Sequence, residues 1–266
     1  MLCSPSLLTT MMGRGVRAAL LSAAGLALLS NTVIAQTSSA CNPVNGGQCS
    51  PNPALGRSAT IDFTRGPSDL FTNQGRPTFD SNGANFAVAQ SGDAPQINSK
   101  FYIMFGKLEV TLKAAPGTGI VSSVVLQSDA LDEIDWEWLG GNNDQVQSNY
   151  FGKGQTATQN RGAFHPNPGN QNSFKTYTID WTADQIVWQI DGSNARVLPA
   201  TQAAPGQYPQ TPMQVKIGSW SGGDPANAPG TIQWAGGPTN YAAGPFVMQV
   251  KSMKVTDYST GTSYSP

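Results

Sequence analysis

The chain has 266 residues, a formal net charge of −1 and only 12% charged residues, about half the share of an average globular protein. Its 39% of hydrophobic residues is enough for a full core, which excludes a disordered chain. The 29 glycines and 19 prolines indicate a turn-rich protein of an extracellular type, and the length suits one or two domains. No linker-like stretch interrupts the middle of the chain, so we predict one main domain.

The first 35 residues have the pattern of a secretory signal peptide. Arg14 and Arg17 precede an apolar run over residues 18–30, and small residues stand at positions −3 and −1 before Gln36. The alternative, a membrane anchor, needs about 20 apolar residues, more than this run provides. Residues 1–35 carry two arginines and no acid, so their removal lowers the net charge from −1 to −3. We therefore predict a secreted protein with no membrane span and no nucleic-acid partner.

Two cysteines, Cys41 and Cys49, remain after the predicted signal peptide. In an oxidising secretory route, a disulfide that closes this short loop is the expected outcome. The spacing does not fit a zinc site, and the chain has one histidine, His165. A catalytic Cys–His pair is disfavoured because both thiols lie so close together in the sequence. We predict a disulfide-closed N-terminal segment over residues 36–57, with no metal and no cofactor.

From about residue 58 onward, short runs of alternating apolar and polar residues are separated by turn signals, which is typical of β-strands. Strands are predicted over residues 58–63, 86–90, 101–113, 119–127, 134–139, 145–151, 174–181, 185–190, 213–218 and 246–258. No helical pattern of useful length and no internal repeat follow the signal peptide. The pattern predicts an all-β domain over residues 58–259, either a two-sheet sandwich or a jelly roll, with a short polar tail at 260–266.

The sharpest local feature is the string DEIDWEWL at residues 132–139. Side chains on a strand alternate between its two faces, so the acids Glu133, Asp135 and Glu137 share one face and the intervening apolar residues share the other. Three neighbouring acids repel one another, and a chain with so few charges has little structural reason to group them. The pattern indicates a functional site, and its alternative is a solvated acidic strand or a calcium site.

The spacing of Glu133 and Glu137 suits the cleavage of a glycosidic bond. Residues four apart on a strand have Cα atoms roughly 13 Å apart, and side chains that lean together bring their carboxyl groups to about 5–6 Å. Retaining glycosidases hold their two carboxyl groups about 5–5.5 Å apart, whereas inverting enzymes need about 6.5–9.5 Å. Repulsion within the cluster raises the pKa of one carboxyl group, so one glutamate stays protonated while the other is ionised and attacks. Asp135, between them, is predicted to orient the attacking glutamate.

Several strings together resemble one known family. DEIDWEWLG (132–140) resembles the E-x-D-x-E catalytic signature of glycoside hydrolase family 16. Five further strings resemble the fungal Crh-type cell-wall transglycosylases of that family: CNPVNGGQCSPNPALG (41–56), QVQSNYFGKG (145–154), TYTIDWTADQIVWQIDG (176–192), IGSWSGGDPANAPGTIQWAGG (217–237) and GPFVMQVKSMKVTDYS (244–259). The resemblance covers about residues 41–259, and it implies a β-jelly roll of two antiparallel sheets of the concanavalin A-like type.

The resemblance also implies roles. Glu133 matches the nucleophile, Asp135 the assisting acid and Glu137 the general acid/base. Family members cleave β-1,4-linked chitin and transfer the glycosyl–enzyme intermediate to chitin or a β-glucan, which cross-links the fungal cell wall. Many relatives carry a glycolipid-anchored tail or a chitin-binding module, and this sequence shows neither, so wall attachment stays open. The alternatives are a plain secreted β-glucan or chitin hydrolase and a carbohydrate-binding wall protein with little activity.

Further residues are predicted to contact the polysaccharide: Gln147, Asn149, Tyr150, Lys153, Trp220 and Trp234. Gln147 and Asn149 share a face of the next predicted strand, and their amides suit sugar hydroxyls. Trp220 follows a strand in a glycine-rich turn, where an aromatic ring can stack on a sugar, and Trp234 is similar. Lys153 is predicted to meet an acetamide or hydroxyl group. For the polar residues, the alternative is an exposed surface position. For the aromatic residues it is the core, and either Tyr150 or its neighbour Phe151 is expected to lie there while the other stacks on a sugar.

Overall fold

The structure, a computed structural model of the chain, describes residues 39–155 and 161–265. The predicted signal peptide therefore lies outside the described residues. No helix of the described part is long and apolar enough to cross a membrane.

The described residues are nearly all β. The strands, numbered in chain order, are β1 (Asn52–Pro53), β2 (Ser58–Asp62), β3 (Phe71–Gln74), β4 (Thr78–Asp80), β5 (Gly83–Val88), β6 (Gln96–Ile103), β7 (Gly106–Lys113), β8 (Ile120–Ser128), β9 (Glu133–Leu139), β10 (Gln145–Phe151), β11 (Ala163–Pro166), β12 (Lys175–Trp181), β13 (Gln185–Ile190), β14 (Ser193–Pro199), β15 (Met213–Ser221), β16 (Phe246–Asp257) and β17 (Ser263–Tyr264). One short helix, α1 (Pro229–Trp234), and four 3₁₀ turns, at Pro43–Asn45, Phe63–Arg65, Ala200–Gln202 and Tyr241–Ala243, accompany them. The predicted all-β fold class is confirmed.

Two large antiparallel sheets enclose the core. One sheet has seven strands in the order β11-β10-β9-β8-β15-β6-β3, and we call it the cleft sheet. The other has the order β14-β13-β12-β7-β16-β5-β4, with β2 also paired to β16, and we call it the back sheet. In the middle of both sheets, strands that are distant in sequence lie side by side, such as β8, β15 and β6 or β12, β7 and β16, as in a jelly roll rather than a simple meander. The predicted two-sheet jelly roll is therefore confirmed.

Tryptophan side chains join the two sheets behind the acidic strand β9. The indole of Trp136 on β9 donates a hydrogen bond to the carbonyl of Thr178 on the back sheet, at 3.1 Å. In return, the indole of Trp188 on the back sheet donates to the carbonyl of Asp135, also at 3.1 Å. Because both rings are fully buried, these bonds fix the position of β9 in the core. Trp138 and Trp181 are equally buried.

The predicted strand over residues 101–113 is wrong, because the structure divides it into two strands of different sheets. β6 belongs to the cleft sheet and β7 to the back sheet. The chain turns between them at Phe105, whose φ is 58°. The apolar alternation runs on through the turn because Phe105 packs on the core residue Trp181. Hydrophobic periodicity alone could therefore not reveal the change of sheet.

The strands absent from the prediction include every edge strand of the two large sheets: β3, β4, β11 and β14. Edge strands bury fewer side chains than central ones, and β3 has a single buried residue, Phe71. The pattern of alternating apolar residues is therefore weak in them. Two further short strands, β1 and β17, pair with each other and were also not predicted.

The predicted disulfide between Cys41 and Cys49 is present. It closes a loop that contains the 3₁₀ turn Pro43–Asn45. Downstream of this loop, Asp257 at the end of β16 accepts hydrogen bonds from the backbone N–H of Gly56 (2.8 Å) and of Met104 (3.3 Å). One carboxylate on the back sheet, that of Asp257, thus binds both the segment after the disulfide, at Gly56, and the backbone that follows β6, at Met104.

Candidate active site

The three acids of β9 lie side by side on the face of the cleft sheet that is turned away from the core. Strand pairing gives each acid a neighbour on either side. The rows are Gln127–Glu133–Phe151, Val125–Asp135–Asn149 and Ser123–Glu137–Gln147. The alternation predicted for this strand is therefore confirmed.

A cleft of about 540 Å³ opens over this face, and both Glu133 and Glu137 line it. Asp135 lies between them and is only 1% exposed. The remaining lining is rich in side-chain amides, including Gln74, Gln96, Asn98, Gln127 and Gln214. Amides both donate and accept hydrogen bonds, which suits hydroxyl and acetamido groups of a polysaccharide. Of the three glutamates in the whole chain, two stand here, and the third is Glu109 on the back sheet.

The acids hold protons unusually tightly. Burial raises the pKa of Glu133 well above its usual range, and the charges of Asp135 and Glu137 raise it further. Burial and the charge of Asp135 likewise raise the pKa of Glu137. Burial raises the pKa of Asp135 to about 7, against the opposing effects of Glu133 and Arg196. The cluster can therefore hold a protonated acid beside an ionised carboxylate near neutral pH, which glycosidic chemistry requires.

This cluster should make the protein less stable as the pH rises. Folded Asp135 binds its proton more tightly than the unfolded chain does, so its contribution is intact below about pH 4 and is lost as the pH rises through about 7. We expect Asp135→Asn to raise the melting temperature at pH 8 by several degrees, since about 1 kcal/mol corresponds to about 2–4 °C in a domain of this size.

At pH 4 the gain from Asp135→Asn should be much smaller, because the carboxyl is then protonated in the folded state and about half protonated in the unfolded state. Calorimetry at the two pH values measures the difference, with Asp144→Asn on the exposed turn before β10 as the matched control. An equal gain at both pH values would contradict this origin.

The predicted pair Gln147 and Asn149 lies beside the acids, on β10. Gln147 is opposite Glu137 and Asn149 is opposite Asp135. The indole of Trp234, at the end of α1, donates to the side-chain carbonyl of Gln147 at 3.3 Å. Trp234 also stacks on Trp220, with ring centroids 6.2 Å apart and an interplanar angle of 25°. The two tryptophans thus stand together at the Glu137 end of the acidic row.

The prediction that Trp220 sits in a turn is wrong, because β15 continues through Ser221. Trp220 projects from the strand onto the cleft face, where it lines the cleft. Gly218 suggested a turn, but it is needed for close approach instead. A Cβ at Gly218 would lie 2.5 Å from the carbonyl oxygen of Pro95 and 2.6 Å from the Cβ of Gln96.

Two predicted contacts are placed elsewhere. Tyr150 is 5% exposed and belongs to the core, because its neighbours Asn149 and Phe151 take the cleft side of the strand. Lys153 turns its ammonium onto the buried carboxylate of Asp132, at 2.8 Å. Neither residue lines the cleft.

Comparison with known proteins gives the family. The model of glycosyl hydrolases family 16 matches residues 65–236. The chain belongs to glycosyl hydrolase family 16. Crh-like protein 4 of Aspergillus fumigatus is 62% identical over 244 residues, which cover 91% of this chain and 54% of that protein. The chain thus spans about half the length of this relative.

Solved structures agree with the family 16 assignment. The apo Crh5 transglycosylase is 50% identical, superimposes with a TM-score of 0.81, and is matched over 85% of this chain and 94% of its own. The Crh5 transglycosylase in complex with NAG matches equally well, with a TM-score of 0.81, 50% identity, and coverage of 84% and 93%. The resemblance to Crh-type proteins is confirmed.

Three polar residues of this family 16 site were absent from the sequence prediction. Gln127 donates to Glu133 at 3.3 Å, and Lys216 donates to Gln127. Arg196, on the back sheet, donates to the carbonyl of Ser148 on β10, the strand next to the acids, at 3.2 Å. The alternation of Val215, Lys216 and Ile217 marks Lys216 as turned away from the core. Only the strand pairing reveals which face of the acids it meets.

Proposed function

We propose that this protein is a retaining glycosidase and transglycosylase that cleaves β-1,4-linked chitin and transfers the glycosyl unit to chitin or a β-glucan. The observation that carries the proposal is the row of Glu133, Asp135 and Glu137 along a polysaccharide-sized cleft. The same chain is 50% identical to the Crh5 transglycosylase over most of its length. Raised pKa values in the row support a division of roles between the acids.

In the first step, an oxygen of the ionised Glu133 carboxylate attacks the anomeric carbon of the donor. The bond from that carbon to the leaving oxygen breaks, and protonated Glu137 gives its proton to that oxygen. The shortened donor leaves with a free hydroxyl group, and the remaining glycosyl unit is an ester of Glu133. Asp135 lies between the two glutamates and holds Glu133 in position.

In the second step, Glu137 is a carboxylate and acts as a general base. It takes the proton of an acceptor hydroxyl, whose oxygen attacks the anomeric carbon and releases Glu133. A sugar hydroxyl gives transfer, and a water molecule gives hydrolysis. The amide-rich floor of the cleft supports a sugar acceptor, because it offers many donors and acceptors that can hold a second sugar chain against the ester.

The choice of a chitin donor is supported by the solved complex of the Crh5 transglycosylase with NAG. It is tested by incubating the protein with chito-oligosaccharides alone and following the anomeric signals of the first products by proton NMR. We expect initial formation of the β-anomer, which reports retention. Initial formation of the α-anomer, or no reaction with any chito-oligosaccharide, would contradict the proposal.

Trp220 is proposed to bind a sugar ring in the donor or acceptor path. Its ring stacks against Trp234, so it is held rigidly at the edge of the cleft. We expect Trp220→Ala to weaken the binding of a chito-oligosaccharide by about tenfold, since aromatic stacking and lost buried area together contribute about 1–2 kcal/mol.

The affinity is measured by calorimetry in the Glu133→Gln background, where turnover does not interfere. Trp220→Phe is the matched control and should keep most of the affinity. Unchanged binding in Trp220→Ala would remove the residue from the site.

We also propose that the protein is secreted into the fungal wall, with residues 1–35 as the signal and residues 58–259 as the catalytic domain. The disulfide between Cys41 and Cys49 supports passage through an oxidising compartment. N-terminal sequencing of the protein recovered from medium and wall fractions tests this. A protein that stays inside the cell with an intact N-terminus would contradict it.

A further inference from the structure

Three side chains from three adjacent strands form a chain of hydrogen bonds across the floor of the cleft. The ammonium of Lys216 on β15 donates to the side-chain oxygen Oε1 of Gln127 on β8. The amide Nε2 of Gln127 then donates to Oε2 of Glu133 on β9, at 3.3 Å. All three residues line the cleft. The cation at one end and the carboxylate at the other are thus linked through one amide.

The charge of Lys216 decides the orientation of this amide. An ammonium can only donate, so the oxygen of Gln127 must face Lys216 and its NH₂ group must face Glu133. A neutral side chain at position 216 would leave the amide free to turn its oxygen towards the carboxylate. The cation therefore determines whether Glu133 meets a donor or an acceptor.

The surroundings of Lys216 are unusual for a lysine side chain. It is the one positively charged side chain among the residues that line the described cleft. Within 4 Å, the described residues offer it no carboxylate partner, unlike Lys153, which pairs with Asp132. Placing a partly buried cation without an ion pair costs free energy. Such a cost is expected where the charge serves a neighbouring reactive group.

We propose that Lys216 is a positioning residue for the glycosyl transfer, which acts through Gln127 to keep a hydrogen-bond donor turned towards the Glu133 carboxylate. This inference rests on the proposed role of Glu133 as the nucleophile. Lys216 and Gln127 act on Glu133 from across the sheet, whereas the proposed assisting acid, Asp135, stands on the same strand as Glu133.

The charges around Glu133 are consistent with this role. Burial raises the pKa of Glu133, Asp135 and Glu137 on the same strand raise it further, and Lys216 on β15 opposes them by lowering it. β8 contributes the uncharged Gln127 beside it, and β10 contributes the uncharged Phe151. From the back sheet, the charge of Arg196 acts on Asp135. Burial lowers the pKa of the Lys216 ammonium, and the negative charges of Glu133 and Asp129 oppose this by raising it.

The titration of Glu133 tests the proposal without any need for activity. The chain has three glutamates, so the full protein labelled with ¹³C at the glutamate carboxyl gives three side-chain signals, assigned by single Glu→Gln variants. We expect the midpoint of Glu133 to move to higher pH in Lys216→Met and to stay in Lys216→Arg. Glu109 on the back sheet is the internal reference. An unchanged Glu133 midpoint in Lys216→Met would overturn the proposal.

The pH dependence of kcat/KM provides the second measurement. In Lys216→Met, activity on the acidic side should fall about tenfold and recover as the pH rises, because a less acidic nucleophile needs a higher pH to ionise. Lys254→Met, on the back sheet, is the matched control and should leave the profile unchanged. A loss that is equal at every pH would indicate a merely structural role and would contradict the proposal.

The two measurements separate this inference from the proposed function. A shifted Glu133 midpoint in a protein without any transfer or hydrolysis would leave the hydrogen-bond chain in place and overturn the catalytic assignment. An unchanged Glu133 midpoint in Lys216→Met, together with normal transfer by the unsubstituted enzyme, would overturn the role of Lys216 and leave the proposed function in place. The charge of Lys216 also acts on Glu133 directly, so Lys216→Met should still cost activity in the Gln127→Met background, but clearly less than it costs in the unsubstituted protein. Additive losses would contradict that route.

Discussion

We expect the replacement of Glu133 with Gln to abolish the proposed turnover of chito-oligosaccharides, with kcat/KM reduced by at least about a thousandfold. The amide has nearly the same shape as the carboxylate but cannot form the ester intermediate, so both transfer and hydrolysis stop. Substrate binding should persist, because the cleft and its amides are unchanged. Product analysis by mass spectrometry and binding by calorimetry measure the two effects separately.

The chain offers a matched control in Glu109→Gln, the remaining glutamate, which lies on the back sheet beside Lys107. It should retain full activity. A sharper version uses Glu133→Ala with azide and a β-glycosyl fluoride of chitobiose. Azide then fills the space of the missing carboxylate and attacks directly, so the expected product is the α-glycosyl azide. Normal activity in Glu133→Gln, or a β-azide from Glu133→Ala, would exclude Glu133 as the nucleophile.

We expect the replacement of Glu137 with Gln to lower kcat/KM for chito-oligosaccharides by about 10²–10⁴-fold, the usual contribution of a general acid. The loss depends on the leaving group, because only a poor leaving group needs protonation. With a 2,4-dinitrophenyl glycoside, ester formation should be nearly as fast as in the unsubstituted enzyme. The ester should then accumulate, because no base assists the acceptor, and intact-protein mass spectrometry would detect it.

Azide distinguishes Glu137 from Glu133 by stereochemistry. In Glu137→Ala, azide attacks the ester of Glu133 and yields the β-glycosyl azide, the opposite anomer from that expected for Glu133→Ala. The raised pKa of Glu137 also predicts that the basic limb of the pH profile disappears in Glu137→Gln. An equal loss for good and poor leaving groups would contradict its assignment as acid/base.

The acidic strand could be predicted from the sequence because its information is local. Alternation places Glu133, Asp135 and Glu137 on one face whatever the rest of the fold does, and the burial of Trp136 and Trp138 follows from the same rule. The placement of Gln147 and Asn149 needed one further assumption, the pairing of adjacent strands, which the short connection between them favours.

The neighbours of Glu133 could not be predicted because they depend on long-range pairing. Lys216 and Gln127 are 89 residues apart, and β15 inserts between β8 and β6 in the sheet. Periodicity states which way Lys216 faces, but it does not state which strand lies beside it. The edge strands could not be predicted for a different reason: they bury few side chains, so the alternation of apolar and polar residues is weak in them.

For Tyr150, the type of side chain led to a different prediction from the geometry of its strand. An aromatic residue beside an acidic cluster suggested stacking on a sugar, yet strict alternation along β10 sends it to the core, between Asn149 and Phe151 on the cleft side. Lys153 is a related case, because the buried Asp132 accepts three further hydrogen bonds nearby and holds the ammonium there. In both cases, strand geometry and burial outweigh composition.

The central claim is tested most directly by supplying a chito-oligosaccharide donor together with a fluorescent β-1,3-glucan oligomer and resolving the products by mass. We predict labelled hybrid chains that carry N-acetylhexosamine units, and their loss in Glu133→Gln but not in Glu109→Gln. Shortened chito-oligosaccharides without hybrids, under conditions where the labelled acceptor is in excess, would contradict the transglycosylase account and leave a hydrolase.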